Sequence, residues 1–295
     1  MIHLTYQLQV KGSMPDARLI VYIQDYSKDM AIQKRPLILL CPGGGYGRTS
    51  DRESEPMALK FLAMGYHVAL LRYSCAPARF PTSLAELASA MVLLRDHAEE
   101  WHIDAEKIVV QGCSAGGHLA ACLGMFWDED FLAEELGLEG PDHEILKPYG
   151  MMLCYPVITS GEFAHRGSFE NLLGEAVEES EKARKEQLLA KLSLEDQVSE
   201  KTPKTFIWHT FTDQSVPVEN SLLLAGALRK AGVSTELHIY PRGKHGLALA
   251  NRLTETRDGR ALQEECTTWI GLAETWLKNL FEDNLADSQQ IETVW

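Results

Sequence analysis

The chain has 295 residues, 45% hydrophobic and 24% charged, with a formal net charge of −14. That composition excludes a disordered or fibrous chain and provides enough apolar side chain for a large buried core. The acidic balance, with no basic patch interleaved with aromatics, argues against nucleic acid or an anionic membrane surface as partner. It also makes a neutral or cationic small substrate easier to accommodate than a polyanion.

The first residues alternate in hydrophobicity and do not run as the continuous apolar core of a signal peptide. No segment approaches the ~20 apolar residues of a membrane helix, so the chain is expected in the cytoplasm. Leu4–Val10 and Arg18–Asp25, joined through the turn residues Gly12, Pro15 and Asp16, predict a β-hairpin. Leu37–Cys41 is a short apolar run suited to a central strand, and it ends in the glycine cluster of "CPGGGYG". Asp51–Met64 has helical spacing and Gly65 is its stop signal. A strand at "YHVALLRYS" follows, then an amphipathic helix in "PTSLAELASAMVLLRDHAEEW", for which Ser83 and Glu86 predict a capping box.

Next come the strand "EKIVVQG" and the helix "AGGHLAACLGMFW". After them, "YGMMLCYPVI" and "KTFIWHT" predict strands, "NSLLLAGALRKAG" a helix, "STELHIYP" a strand, and a last helix ends near Leu280. This alternation predicts a single α/β domain over residues 1–295: a doubly wound, mostly parallel sheet with N-terminal antiparallel strands and helices on both faces. The rhythm breaks over about 160–201, a charged helical insertion that reads either as a solvated helix pair or as a small lid. Residues 281–295 read as a flexible acidic tail. The six cysteines include no C-x-x-C pair and read as reduced, packed thiols.

"GCSAG", Gly112 to Gly116, fits the strand–turn–helix elbow that projects a nucleophile. The elbow needs small residues two before and two after the nucleophile. Gly112 and Gly116 satisfy this for Ser114, whereas Gln111 is too bulky to do so for Cys113. A serine needs a base, and the base an orienting acid, in the chain order Ser, Asp or Glu, His. Asp213 follows a late strand, in preference to Asp196 in the charged insertion and to Glu219 at a helix start. His245 lies in a glycine-flanked loop after the next strand; His238 lies within that strand, and His209 precedes the acid. An oxyanion requires preorganised N–H donors, for which Gly44, Gly45 and Ala115 are best placed. Tyr46, Tyr155 and Val216 sit in loops expected near Ser114 and read equally as pocket lining or as core.

With these residues in place, the chain resembles the α/β-hydrolases, and within them the esterase branch related to hormone-sensitive lipase. "PGGGY" is similar to that branch's H-G-G-G-[FWY] motif, with Pro42 in place of the histidine. "GCSAGGHLAA", "SFENLLG", "FTDQSVPVENS" and "RGKHGLALA" resemble the bacterial acetyl-xylan-esterase-like members. The resemblance spans Arg35 to about Asn251. It implies hydrolysis of short acyl esters of sugars through an acyl-enzyme, with no metal or cofactor required. An amidase or peptidase of the same fold, or a non-catalytic binding protein, stays open as an alternative, as does monomer against homo-oligomer.

Overall fold

The computed structural model describes residues 1–138, 143–175 and 179–282; the expected tail beyond Glu282 lies outside them. The strands are β1 (Ile2–Gln7), β2 (Arg18–Ile23), β3 (Arg35–Cys41), β4 (His67–Arg72), β5 (Ile103–Cys113), β6 (Gly150–Cys154), β7 (Thr205–Thr210) and β8 (Thr235–Tyr240). They form one sheet in the order β1-β2-β4-β3-β5-β6-β7-β8. β1–β2 and β2–β4 pair antiparallel, and every other pair is parallel. This is the doubly wound sheet with antiparallel N-terminal strands that the alternation predicted.

The helices are α1 (Glu55–Ala63), α2 (Thr82–Asp96), α3 (Ala115–Phe126), α4 (Asp130–Leu136), α5 (Arg166–Leu173), α6 (Glu179–Lys191), α7 (Glu219–Lys230) and α8 (Trp269–Phe281). Met57 and Phe61 of α1 join Trp269, Trp276 and Leu280 of α8 in the core on one face of the sheet. The opposite core takes Leu84 and Met91 of α2, Leu119 of α3 and Leu224 of α7. Strand β3 shows why its run is apolar throughout: Leu37, Leu39 and Cys41 enter one core, Ile38 and Leu40 the other. Among the described residues no helix is long and apolar enough to cross a membrane.

One local reading is corrected. Glu86 does not close a capping box. It is fully buried, and its carboxylate instead accepts from the Ser74 N–H and from the hydroxyls of Ser74 and Ser13, tying the start of α2 to the loop after β4 and to the first hairpin. The insertion divides unequally. His165, Gly167 and Asn171, at the short helix α5, border the cleft above the sheet, whereas the charged helix α6 contributes no residue to it.

The elbow between β5 and α3 is held by close approach. A Cβ at Gly116 would lie 2.0 Å from the Cys41 carbonyl oxygen, and one at Gly112 would lie 2.1 Å from the Gly116 carbonyl oxygen. Both obstacles are backbone and cannot swing aside, so β3, β5 and α3 can meet only through glycines. Gly116→Ala should therefore destabilise the fold by about 3 kcal/mol or more. Urea unfolding of the purified variant measures this, and an unchanged midpoint would refute the close crossing.

Candidate active site

Ser114 directly follows β5 with φ 54° and ψ −121°, a left-handed conformation that a non-glycine residue adopts only under constraint. The constraint is visible in its own backbone. The Ser114 N–H donates to the Cys154 carbonyl at 2.9 Å, and its carbonyl accepts from Val157 and His118 at 3.1 Å each. The hydroxyl is thereby lifted over the carboxyl ends of the parallel strands. There Oγ–H donates to His245 Nε2 at 2.7 Å, and His245 Nδ1–H donates to Asp213 Oδ2 at 2.6 Å. The three side chains come from the ends of β5, β7 and β8, so the sheet brings together residues 131 positions apart.

Asp213 is buried, which alone would raise its carboxyl. Hydrogen bonds from His209 and His245, the His245 charge and the Val216 N–H outweigh that and hold it well below the usual carboxylate range. The backbone N–H groups of Ser215 and Val216 both donate to its Oδ1. His209, set aside in the sequence for breaking the chain order, has a supporting place: its ring is fully buried, Nε2 lies 3.3 Å from Asp213 Oδ2, and Nδ1 accepts from the Ser221 hydroxyl at 2.8 Å. A neutral imidazole polarised by such a carboxylate can take the serine proton.

The glycine loop after β3 borders the same cleft, of about 930 Å³, as Ser114 and His245. Gly44 and Gly45 have φ of 134° and 64°. Among the described residues neither N–H donates a hydrogen bond. Ala115 is the first residue of α3, where an N–H has no acceptor within the helix. These are the three N–H groups that the sequence singled out as candidate oxyanion donors.

Tyr46, Tyr155 and Val216 do not line the cleft. Each is at most 2% exposed and belongs to the core. Tyr46 and Tyr155 have φ of 57° and 39°, and at these turns each side chain is buried beneath the loops. The Tyr46 hydroxyl donates to His118 Nδ1 at 2.8 Å, while His118 Nε2–H donates to the Leu192 carbonyl, fastening the glycine loop and the insertion to α3. Val216 serves the site through its N–H on Asp213. Cys113, beside the serine, is fully buried, and burial pushes its thiol well up, which fits a packed neighbour.

Glu53 is a site residue the sequence did not single out, because its hydrogen-bond partners lie far from it in the chain. It is 4% exposed. Its Oε2 accepts from the Gly43 N–H, and its Oε1 accepts from the Tyr155 hydroxyl, both at 2.8 Å. The Tyr155 oxygen in turn accepts from the Ala248 N–H at 3.0 Å, and the Tyr155 ring meets His245 edge-on at 5.2 Å. One carboxylate therefore joins the glycine loop, the loop after β6 and the loop that carries His245.

The BD-FAE family model matches residues 23–228. The endo-1,4-beta-xylanase B of Butyrivibrio fibrisolvens is 36% identical over 224 residues, covering 74% of this chain and 33% of that protein. The acetylxylan esterase of Xylanibacter ruminicola is 29% identical over 211 residues, covering 70% of this chain and 39% of that protein. The chain thus spans well under half the length of either curated relative. Among solved structures, an acetyl ester-xyloside bifunctional hydrolase from Caldicellulosiruptor lactoaceticus is 38% identical with a TM-score of 0.75, covering 90% of this chain and 88% of that one. A carboxylesterase from Lactobacillus plantarum is 26% identical with a TM-score of 0.78, covering 97% and 99%.

Two stability measurements follow from the buried polar groups. Glu53→Ala leaves the Gly43 N–H and the Tyr155 hydroxyl without their acceptor, and should lower unfolding free energy by about 2–4 kcal/mol, with Glu53→Gln losing less. Urea titration of both variants decides this. Burial pushes His118 down from 6.5 to about 4. Its contribution is fully present above the unfolded-state value of 6.5 and is lost as pH falls toward about 4, because the unfolded chain takes up a proton that the folded one refuses. That window is worth about 3 kcal/mol. Unfolding midpoints at neutral and acid pH should therefore converge partly in His118→Gln, even though the variant is less stable at neutral pH.

Proposed function

We propose a function on one premise: this chain belongs to the BD-FAE family of α/β-hydrolases. The protein is a serine carboxylic ester hydrolase that removes short acyl groups, acetyl above all, from carbohydrate esters such as acetylated xylo-oligosaccharides. The observation that carries this reading is the hydrogen-bonded chain from Ser114 Oγ through His245 to Asp213, open to the cleft at its serine end.

In the first half-reaction Ser114 Oγ attacks the acyl carbon while His245 Nε2 takes the hydroxyl proton. The carbonyl oxygen becomes an oxyanion and accepts from the N–H groups of Gly44, Gly45 and Ala115. His245 then gives its proton to the departing sugar oxygen as the carbon–oxygen bond breaks, leaving an acyl-serine. In the second half a water attacks that ester, with its proton passing to His245. The tetrahedral adduct collapses to release the acid, and the proton returns to Ser114. Asp213 stays ionised throughout, fixing the imidazole tautomer and stabilising the imidazolium. The sugar-ester assignment draws on the acetylxylan esterase and the acetyl ester-xyloside hydrolase among the similar proteins.

The wild-type protein should turn over p-nitrophenyl acetate faster than the corresponding anilide, and should be labelled at Ser114 by a fluorophosphonate. Ser114→Ala should lose at least about 10³-fold in kcat with an unchanged unfolding midpoint. Substantial activity in that variant would remove Ser114 from the mechanism. Faster anilide turnover would mark an amidase, and a folded wild-type chain that neither reacts nor labels would mark a binding protein.

A further inference from the structure

The formal charge of −14 belongs to the whole chain, and the cleft carries the opposite sign. Arg48, Arg52, Lys244 and Arg260 line it, against the single carboxylate of Glu53. Glu53 is already occupied by the Gly43 N–H and the Tyr155 hydroxyl. Among the described residues no carboxylate lies within ion-pair distance of Arg48, Arg52 or Lys244, and Arg260 meets only the exposed Asp258, at 3.5 Å. Arg52 spends Nε and Nη1 on the carbonyls of Thr254 and Gly246, but its Nη2 is buried with no partner.

Two of these cations sit on the loops that carry the glycines and His245. A Cβ at Gly44 would lie 3.1 Å from Arg48 Cγ, so the Arg48 stem packs against the glycine loop. Lys244 directly precedes His245 in the loop after β8. Both side chains are exposed and reach into solvent at the cleft mouth. In the proposed mechanism the acyl group sits over Ser114 and the glycine loop, which leaves the alcohol toward this mouth. We propose, resting on the esterase reading above, that the alcohol part of the substrate carries an anionic group, a carboxylate or phosphate on the sugar, which Arg48 and Lys244 bind. A neutral acetyl sugar leaves the unpaired cations of the cleft without an acceptor.

The test compares kcat/KM of the full chain for three acetylated substrates: a neutral xylo-oligosaccharide, the same oligosaccharide bearing a uronic acid branch, and an acetylated sugar phosphate. An anionic substrate should be preferred roughly tenfold at low salt, with the preference shrinking toward parity as ionic strength rises to about 0.5 M. Arg48→Gln and Lys244→Gln should each lower the anionic-to-neutral ratio roughly threefold, mainly through KM, and the double variant by more. Because the readout is a ratio, a general loss of activity cancels. A preference for either anionic substrate that the double variant reduces upholds the site and identifies its group. A ratio at or below one in the wild type, or one that the double variant leaves unmoved, overturns it. Equal, rapid turnover of all three overturns only the anionic assignment, whereas absence of turnover together with absence of fluorophosphonate labelling overturns the esterase reading on which it rests.

Discussion

Everything in the site depends on one crossing, where the end of β5 and the first turn of α3 pass the end of β3 with no room for a side chain. The Gly112 and Gly116 contacts set that distance, and the distance forces Ser114 into its left-handed turn. A left-handed serine is unfavourable by about 1 kcal/mol or more, so the turn persists only because the surroundings over-determine it. Three backbone hydrogen bonds to the serine, from β6, the following loop and α3, do so. The same tightness that strains the residue also points its hydroxyl out of the sheet and starts a helix at the next N–H. The placement of the Ser114 hydroxyl and the helix-start N–H of Ala115 are therefore two consequences of one packing constraint.

Around that crossing the polar groups are buried and paired. Glu53, Asp213 and His118 each join chain segments far apart in sequence. Such groups are weak sources of net stability, since desolvation consumes most of what pairing gives. Their effect is positional: each has one arrangement that satisfies all its hydrogen bonds, and losing it strands a partner in the core. A hydrophobic core alone would tolerate a glycine loop displaced by part of an ångström. The carboxylate of Glu53 does not, because Gly43 and Tyr155 must both be within reach of it.

The elements that could be read in the sequence were those whose signal is local. "GCSAG" carries its own spacing test, and Asp213 and His245 follow from chain order and their place after strands. Apolar runs and glycine stops gave the sheet. What failed was side-chain direction and long-range pairing. Tyr46 and Tyr155 sit in loops after central strands, as the alternation of elements suggested, but their left-handed backbone goes with side chains buried in the core. Glu86 matched a three-residue capping pattern, yet its partners are Ser74 and Ser13, twelve and seventy-three positions away. Glu53 was hidden for the same reason: its two donors lie ten and 102 residues distant. A buried carboxylate with distant partners leaves no periodic trace.

Charge shows the same division between local and global information. A sum of −14 describes how the whole surface acts on a distant ion, and from it a neutral or cationic substrate is the natural expectation. A substrate in the cleft is closer than a Debye length, ~8 Å at physiological salt, to only a few of the charges. Those few are set by the loops after β3 and β8: Arg48 and Arg52 follow the glycine run, and Lys244 precedes His245. A carboxylate facing the cleft would repel the oxyanion of the proposed mechanism. Among the described residues the one acid that lines the cleft, Glu53, is turned into the core and consumed by hydrogen bonds. The positive cleft in an acidic protein is thus consistent with chemistry that develops negative charge on oxygen, and the proposed anionic substrate would meet the cations at its mouth in the same way.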